Sequence, residues 1–337
     1  MLDSRLETIS YFMSLLSCAR KLQAATAENC PRYSAELSKV LAPLQKLGVS
    51  TAVLSPSTQS GTDGFVQILS MLTLLPIIQC CKVIKSLNSL KPQLQMLYRL
   101  VGELDADISI LSYRHSIELY TVPKFVDKLS VSGTGVAHPL IDGAVPNDAQ
   151  IDKSWLLTGS NASGKSTFIK SIAVNNILAQ TINTCTAQSY ALKLAPVVTS
   201  MAVEDNVIDG ESYFIAEIKS MKRIIDLVDA GVQCYCFIDE ILKGTNTAER
   251  IAASAAVLEH LTEKDCLCLT ATHDMELTQL LDGKYVNCHF SEQVDADGVS
   301  FDYKLKPGAS KTRNAIRLLE YYKFPQDIIF AANERAK

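Results

Sequence analysis

The sequence of 337 residues predicts an all-α domain over residues 1–120 followed by an α/β domain over residues 121–337. In the first part, apolar residues recur at helical spacing. From about residue 120, short apolar runs typical of buried strands alternate with helical patterns, which favours a mixed α/β architecture. A glycine-rich stretch joins one such run, residues 155–157, to a helical pattern. These three observations set the fold class, and the length fits about two domains.

The composition indicates a folded chain with no overall attraction to nucleic acid. Apolar residues make up 47% and charged residues 20%, which is typical of globular proteins. The net charge is −4. Any contact with DNA must therefore come from a local basic patch rather than from the charge of the whole molecule.

The ten cysteines favour free thiols. Cys234 and Cys236, like Cys266 and Cys268, are spaced two apart within apolar runs, and residues at that spacing share one face of a strand. Zinc sites prefer two to four intervening residues. We therefore predict buried free thiols rather than a metal site or disulfides, and reduced thiols indicate a cytoplasmic protein.

The first domain is predicted to be helical throughout, apart from one loop. Residues 1–46 carry two or three helices punctuated at Pro31 and Pro43, and residues 47–63 have the composition of a loop. Residues 98–113 have the pattern of a long helix that ends the domain.

Residues 64–81 contain no charged residue. That length is the lower limit for a membrane-spanning helix, which needs about 18 apolar residues. Interrupting polar residues and Pro76 favour a kinked core helix over membrane association, with a membrane or hairpin anchor as the alternative. The basic residues that follow form either a solvated helix face or a phosphate-contacting strip: Lys82, Lys85, Lys91 and Arg99.

The glycine-rich stretch has the pattern of a phosphate-binding loop, Gly-x-x-x-x-Gly-Lys-Ser, from Gly159 to Ser166. Gly159 and Gly164 let backbone N–H groups point at a phosphate, and the helix that follows adds a partial positive charge. Lys165 supplies a full charge at the β- and γ-phosphates, and the hydroxyl of Ser166 suits Mg²⁺. The alternative is a chance glycine-rich turn.

Two further apolar runs end in residues suited to hydrolysis. Residues 234–238 lead to Asp239, which could hold Mg²⁺, and Glu240, which could orient and deprotonate an attacking water. Residues 266–271 lead to His273, which could hydrogen-bond the γ-phosphate or that water. The alternatives are ordinary solvated acids at a strand end and a structural histidine.

Five segments in the right order resemble the MutS family of DNA mismatch-repair ATPases, a branch of the ABC-type ATPases. They are residues 158–167, 209–217, 238–247, 271–277 and 307–311. The resemblance runs from about residue 118 to the end of the sequence. Residues 1–117 match weakly, mainly at 102–105, and resemble the helical core domain that precedes the ATPase domain in this family.

The resemblance implies a homodimer with shared active sites. Ser212 matches a signature serine that reaches the γ-phosphate bound by the other subunit, although an ordinary N-cap serine is the alternative. Residues 244–247 match a loop that crosses the dimer interface, and helices at 314–319 and 325–332 match a dimerisation element. The expected catalytic residues are Lys165, Glu240 and His273. The expected Mg²⁺ ligands are Ser166 and Asp239. The expected ATP-binding residues are Gly159, Asn161, Gly164, Lys165, Ser166, Thr167, Ser212 and Tyr303.

The sequence departs from the family pattern in three places. Glu211 stands where a basic residue is usual, and Ala144 or Val145 replaces an aromatic residue that often stacks on adenine. Tyr303, in a segment 301–305 that alternates like a strand, is our candidate to cover the base, with a core tyrosine as the alternative. No segment resembles the mismatch-reading domain with its Phe-x-Glu wedge, because residues 290–292 have that spelling but lie inside the ATPase domain.

The expected function is Mg²⁺-dependent ATP hydrolysis that drives conformational change in a MutS-like dimer on double-stranded DNA. Mismatch repair, or related repair or recombination, is the expected process. The alternative is a MutS-like ATPase that does not read DNA and is anchored near a membrane through residues 64–81.

Overall fold

A computed structural model of the chain describes residues 2–51, 85, 89–160, 162–201, 213–243, 245–295, 298–310 and 322–335. The chain divides into two units, Met1–Tyr113 and Arg114–Lys337. The predicted domain boundary at residue 120 lies a few residues beyond this division.

The first unit is built, in its described part, from helices. They are α1 (Leu2–Thr26), α2 (Pro31–Thr51) and α3 (Lys91–Ser116), whose last residues belong to the second unit. Their facing sides bury a leucine-rich core, which is the expected result of apolar residues at helical spacing. The fully buried members are Leu16, Ala19, Leu37, Leu41, Leu44, Leu94, Leu97 and Leu100.

The prediction that Pro43 interrupts a helix is wrong. Pro31 begins α2, where the missing N–H of proline is tolerated, but Pro43 lies inside the same helix. Leu41 and Leu44 on either side of it are buried in the core, so packing outweighs the local cost of the proline. The helix also continues through residues 47–51, which the sequence had placed in a loop.

The uncharged segment 64–81 and the remainder of the predicted loop, residues 52–63, lie outside the described residues. Within the described ranges, no helix is both long enough and apolar enough to cross a membrane.

The second unit is a mixed α/β structure, as the sequence predicts. Its strands and helices in chain order are β1 (Lys124–Phe125), β2 (Val131–Val136), β3 (Asn147–Ile151), β4 (Trp155–Thr158), α4 (Lys165–Ile182), β5 (Ser189–Leu192), β6 (Val197–Ser200), α5 (Tyr213–Asp229), β7 (Cys234–Asp239), α6 (Thr247–Thr262), β8 (Cys266–Ala271), α7 (Glu276–Leu280), β9 (Val286–His289), β10 (Glu292–Asp295), β11 (Gly298–Phe301), β12 (Lys306–Pro307) and α8 (Gln326–Arg335).

These strands form two sheets and a hairpin. The smaller sheet has the order β1-β5-β2-β3, and the hairpin joins β10 to β11. The larger sheet has the order β12-β9-β4-β8-β7-β6 and is parallel except where β12 runs antiparallel to β9. Sheets of this kind are covered on both faces, which explains the nearly continuous apolar runs in the sequence.

Alternating residues of the larger sheet fill two separate cores. Leu157, Phe237 and Leu269 lie in a cluster with Phe168 and Ile169 of α4. Their neighbours Leu156, Ile238 and Cys268 face the opposite way and pack in a cluster with residues of α5 and α6. Because each strand buries both faces, α4 is fixed on one side of the sheet and α6 on the other.

The thiols of the strands are largely buried, as predicted. Cys234, Cys236 and Cys268 are free and buried, and Cys266 is free and partly buried. The described cysteines form no disulfide, and no metal-binding cluster occurs within the described ranges. Cys18 and Cys30 of the first unit are exposed, so burial does not extend to every thiol.

The topology brings three predicted site segments to one edge of the larger sheet. Strand β8 lies between β4 and β7, with Ala271 in register with both Leu157 and Asp239. Because parallel strands end at the same edge, the residues that follow β4, β7 and β8 meet there.

Candidate functional site

The segment between β4 and α4 is a tight loop that requires its glycines. Gly159 has a φ of 139° and Gly164 a φ of 110°, which side-chain-bearing residues rarely adopt. A Cβ atom on Gly159 would also lie 2.5 Å from the carbonyl oxygen of Phe290. The backbone therefore curls tightly, as expected for the predicted phosphate-binding loop, and α4 begins directly after it at Lys165.

Lys165 is buried at the centre of this loop. Its Nζ donates hydrogen bonds to the carbonyl oxygens of Gly159 at 2.7 Å and Ser160 at 2.8 Å. Burial lowers the pKa of Lys165 to about 8, although the nearby carboxylates of Glu240 and Asp239 oppose the shift. The ammonium group is thus largely charged at neutral pH and is held by groups that a bound anion could replace.

Two hydroxyl groups in the loop have no hydrogen-bond partner among the described residues. The Oγ atoms of Ser160 and Ser163 are buried and make no hydrogen bond to the described residues. Buried polar atoms are nearly always paired, so these two indicate a ligand with acceptor atoms. Together with the N-terminus of α4, they fit a phosphate group.

The oxygen atoms of Ser166 and Asp239 fit a magnesium ion. Ser166 Oγ donates a hydrogen bond to Oδ1 of Asp239 at 3.0 Å, so the two atoms already converge. Hydroxyl and carboxylate oxygens are the ligands that Mg²⁺ prefers beside a phosphate. The structure therefore brings together the pair that the sequence predicted.

Glu240 lies at the centre of a charged cluster. Its Oε1 is 2.7 Å from Nε2 of His273, and its Oε2 is 2.5 Å from Nζ of Lys243. Nε2 of His273 is in turn 3.4 Å from Nζ of Lys165. Glu240 has a φ of 59°, an uncommon conformation that turns the chain sharply after β7.

The pKa values of the cluster reflect these contacts. Burial raises the pKa of Glu240, but its hydrogen bond with Lys243 and the charge of His273 outweigh burial and leave that pKa below its usual value. Burial and the charge of Lys165 lower the pKa of His273, against the opposing effect of Glu240. At neutral pH Glu240 is ionised, as a group that accepts a proton must be.

A cavity of about 360 Å³ lies beside the start of α4. Its walls include Gly164, Thr167 and Phe168 on one side and Ala144 and Val145 on another. These walls are mostly apolar, which suits the flat ring of a nucleotide base.

Tyr303 also lines this cavity and is 43% exposed, which argues against a core tyrosine. The prediction of a strand over residues 301–305 is wrong, because β11 ends at Phe301 and Tyr303 has a φ of 51°. This conformation puts the ring against the glycine-rich loop: Cδ1 of Tyr303 would lie 3.3 Å from a Cβ atom on Gly164.

Two residues next to the site were not singled out from the sequence. Asn147 Nδ2 donates to the carbonyl oxygen of Tyr303 at 3.0 Å, and its Oδ1 accepts from the backbone N–H of Leu305 at 2.8 Å. Asn147 thereby joins two walls of the cavity. Lys243 forms an ion pair with Glu240. The sequence could have indicated this pair only through the spacing of three residues between the two.

Several predicted residues lie outside the described ranges. They are Asn161, Glu211, Ser212, residue 244 of the interface loop, and the first C-terminal helix at 314–319. Helix α5 begins at Tyr213, directly after Ser212 in the sequence. The second C-terminal helix is present as α8, and it exposes Ile328 and Phe330.

Comparisons with known proteins match the part of the chain that carries this site. The family model for MutS domain V matches residues 155–337. The DNA mismatch repair protein MutS of Thermus thermophilus is 29% identical over 246 residues, which is 71% of this chain and 29% of that protein. MutS protein homolog 4 of Mus musculus is 30% identical over 273 residues, which is 75% of this chain and 28% of that protein.

A third relative, the DNA mismatch repair protein MSH3 of Phaeosphaeria nodorum, is 30% identical over 252 residues, or 70% of this chain and 22% of that protein. The chain therefore spans less than a third of the length of these relatives.

Proposed function

The chain belongs to the MutS family, and from this premise we propose that it binds ATP with Mg²⁺ and hydrolyses it to ADP and phosphate. In this proposal, the second unit is a P-loop ATPase domain of the ABC type, and the first unit is the helical domain that precedes it in the chain. Two subunits act together on double-stranded DNA. The strongest support is the cluster in which Lys165, Glu240 and His273 meet beside the Ser166–Asp239 pair.

Each residue of the cluster has a distinct role in this proposal. Lys165 leaves the carbonyl oxygens of the loop and donates to phosphate oxygens. Glu240 accepts a proton from the attacking water, since its carboxylate is ionised and contacts His273, which in turn lies beside Lys165. His273 orients that water or the γ-phosphate through Nε2, which lies between Glu240 and Lys165.

Ser166 and Asp239 would hold Mg²⁺, which supplies positive charge to phosphate oxygens when it is bound.

The test of the proposed reaction is steady-state phosphate release from ATP by the purified chain. We expect release in Mg²⁺ and its loss when EDTA removes the metal. Equal release under both conditions would contradict a metal-dependent site.

Tyr303→Ala should weaken ATP binding. Aromatic stacking contributes about 0.5–1.5 kcal/mol beyond burial, so we expect a loss of roughly two- to thirteen-fold in affinity. Thermal stability should change little, since the ring is 43% exposed. Calorimetric ATP titrations and melting curves are the measurements, with exposed Tyr98→Ala on α3 as the matched control. Lower melting temperature with unchanged affinity would remove Tyr303 from the site.

The proposed dimer is supported by the family resemblance and by the exposed apolar side chains near the C-terminus. Tyr322, Phe324, Ile328 and Phe330 are all exposed in this chain. Exposed apolar groups in one short segment are typical of a protein–protein contact.

If sites are shared between subunits, Lys165→Ala damages its own site and Ser212→Ala damages the site of its partner. Each homodimer of a single variant should then lose most of its ATPase activity. A mixed dimer has one site with an intact Lys165 and an intact Ser212. Each mixed dimer should therefore regain about half of the rate of a wild-type dimer. Mixing experiments at several subunit ratios measure this. No recovery on mixing would indicate sites completed within one chain.

Action on DNA is proposed from the names of the relatives and carries its own test. Because the net charge is −4, binding must depend on a local patch and should weaken steeply as salt increases. We expect the 337-residue polypeptide to prefer mismatched over matched duplex by less than about 1 kcal/mol, since no segment matches the wedge that reads a mismatch. Gel shifts with homoduplex, mismatch and junction DNA at several salt concentrations measure both. Salt-independent binding, or a larger mismatch preference, would contradict these expectations.

A further inference from the structure

Arg250 and Asp274 form a two-pronged ion pair next to the charged cluster. Nε of Arg250 donates to Oδ2 of Asp274 at 2.8 Å, and Nη2 donates to Oδ1 at 2.6 Å. The two side chains are 22% and 12% exposed. Paired parallel hydrogen bonds of this kind fix orientation as well as distance, which a single contact does not.

The pair joins two elements that both belong to the proposed active site. Arg250 lies in the first turn of α6, just after the segment 244–247 that resembles the interface loop. Asp274 directly follows His273 in the turn between β8 and α7. The pair is therefore a side-chain link between the helix after the interface loop and the turn that carries the histidine.

The backbone of the turn is also held at both ends. The N–H of Asp274 donates to Oγ1 of Thr272 at 3.0 Å, and the N–H of Leu277 donates to the carbonyl oxygen of Asp274 at 3.3 Å. At the other element, Oδ1 of Asn246 caps α6 by accepting from the N–H of Glu249 at 3.0 Å. Both residues of the pair therefore lie in segments with hydrogen-bonded backbone. The ion pair can thus fix the position of the turn that carries His273 relative to α6.

We propose that Arg250 and Asp274 are positioning residues that hold His273 against Glu240 and Lys165. His273 is 36% exposed and lies in a turn, so its 2.7 Å contact with Glu240 needs a support beyond the strand end. The proposal rests on the proposed ATP hydrolysis at this site. Among the described residues, neither side chain makes a hydrogen bond or ion pair with the loop from Gly159 to Ser166, so their effect is expected on the chemical step rather than on ATP affinity.

Two conservative substitutions disturb the pair, one at each partner. Arg250→Lys keeps the positive charge but cannot make two parallel bonds, and Asp274→Asn keeps one acceptor but loses the negative charge. Displacing a reacting group by about 1 Å can lower a rate by up to about 100-fold. We expect kcat for ATP hydrolysis to fall by about 10- to 100-fold in each variant, with the Kd for ATP within about twofold of wild type.

The double variant and a matched control separate positioning from a general structural effect. If the two residues act through one contact, Arg250→Lys with Asp274→Asn should lower kcat no further than either substitution alone. Arg99→Lys is the control, because Arg99 makes an exposed ion pair with Glu103 on α3 and its replacement should leave kcat unchanged. A wild-type kcat in both single variants, or losses that multiply in the double variant, would overturn the proposal.

A second measurement does not depend on hydrolysis. The chain has five histidines, and the ring signals of His273 in an NMR spectrum should shift in Arg250→Lys while those of the other four stay in place. Unshifted His273 signals would overturn the positioning role. If wild type releases no phosphate but the His273 signals shift, the proposed reaction fails while the positioning role stands.

Discussion

Glu240→Gln is expected to slow ATP hydrolysis by roughly 10²- to 10⁴-fold, the usual contribution of a positioned general base. Glutamine keeps the size of the side chain and can still hydrogen-bond His273 and Lys243, but it cannot take a proton from water. ATP binding should therefore remain within a few-fold of wild type. Steady-state phosphate release and calorimetric ATP titration measure the two effects separately.

The matched control for this substitution is Glu259→Gln. Glu259 is an exposed carboxylate on α6 that pairs with Lys284. Its replacement should leave hydrolysis unchanged. If the Glu240→Gln protein turns over ATP within a few-fold of the wild-type rate, the general base is another residue.

Lys165→Ala is expected to remove most of the ATP affinity. A hydrogen bond to a charged group contributes about 1.5–3 kcal/mol, so the loss should be roughly 10- to 150-fold in Kd. Hydrolysis should fall at least as far, because Lys165 also lies beside His273. The measurement is a calorimetric ATP titration in Mg²⁺.

The folded state should tolerate this substitution. Burial lowers the pKa of Lys165 to about 8, below its value in an unfolded chain, so at neutral pH its charge disfavours folding. The melting temperature of Lys165→Ala should therefore not drop. Lys128→Ala, at an exposed lysine, is the control and should bind ATP normally. Normal ATP affinity in Lys165→Ala would place the phosphates elsewhere.

The centre of the site could be predicted from the sequence because each part is local. The loop from Gly159 to Ser166 is continuous, and Asp239 and His273 each come at or just after a buried strand. Parallel strands end at one edge of a sheet, so separate stretches of sequence could be placed together before the structure was known. The structure puts His273 within hydrogen-bonding distance of both Lys165 and Glu240, and Ser166 within hydrogen-bonding distance of Asp239.

The contacts that support the site could not be predicted. Asn147 and Leu305 are far apart in the sequence, as are Arg250 and Asp274, and the pattern of apolar residues says nothing about which polar side chains meet. The positive φ of Tyr303 could not be predicted either, because the apolar and polar residues around it alternate as they do in a strand. In α2, burial of the leucines beside Pro43 outweighed the local preference of proline.

The most direct test of the proposed active site is a single-turnover experiment in Mg²⁺ with ATP below the concentration of protein. Acid quenching and chromatography then give the fractions of ATP and ADP over time. We predict that the wild-type chain converts its bound ATP to ADP, whereas Glu240→Gln binds ATP and leaves it intact over the same period. Bound ATP that persists in wild type, or ADP that forms equally fast in both proteins, would contradict hydrolysis at this site.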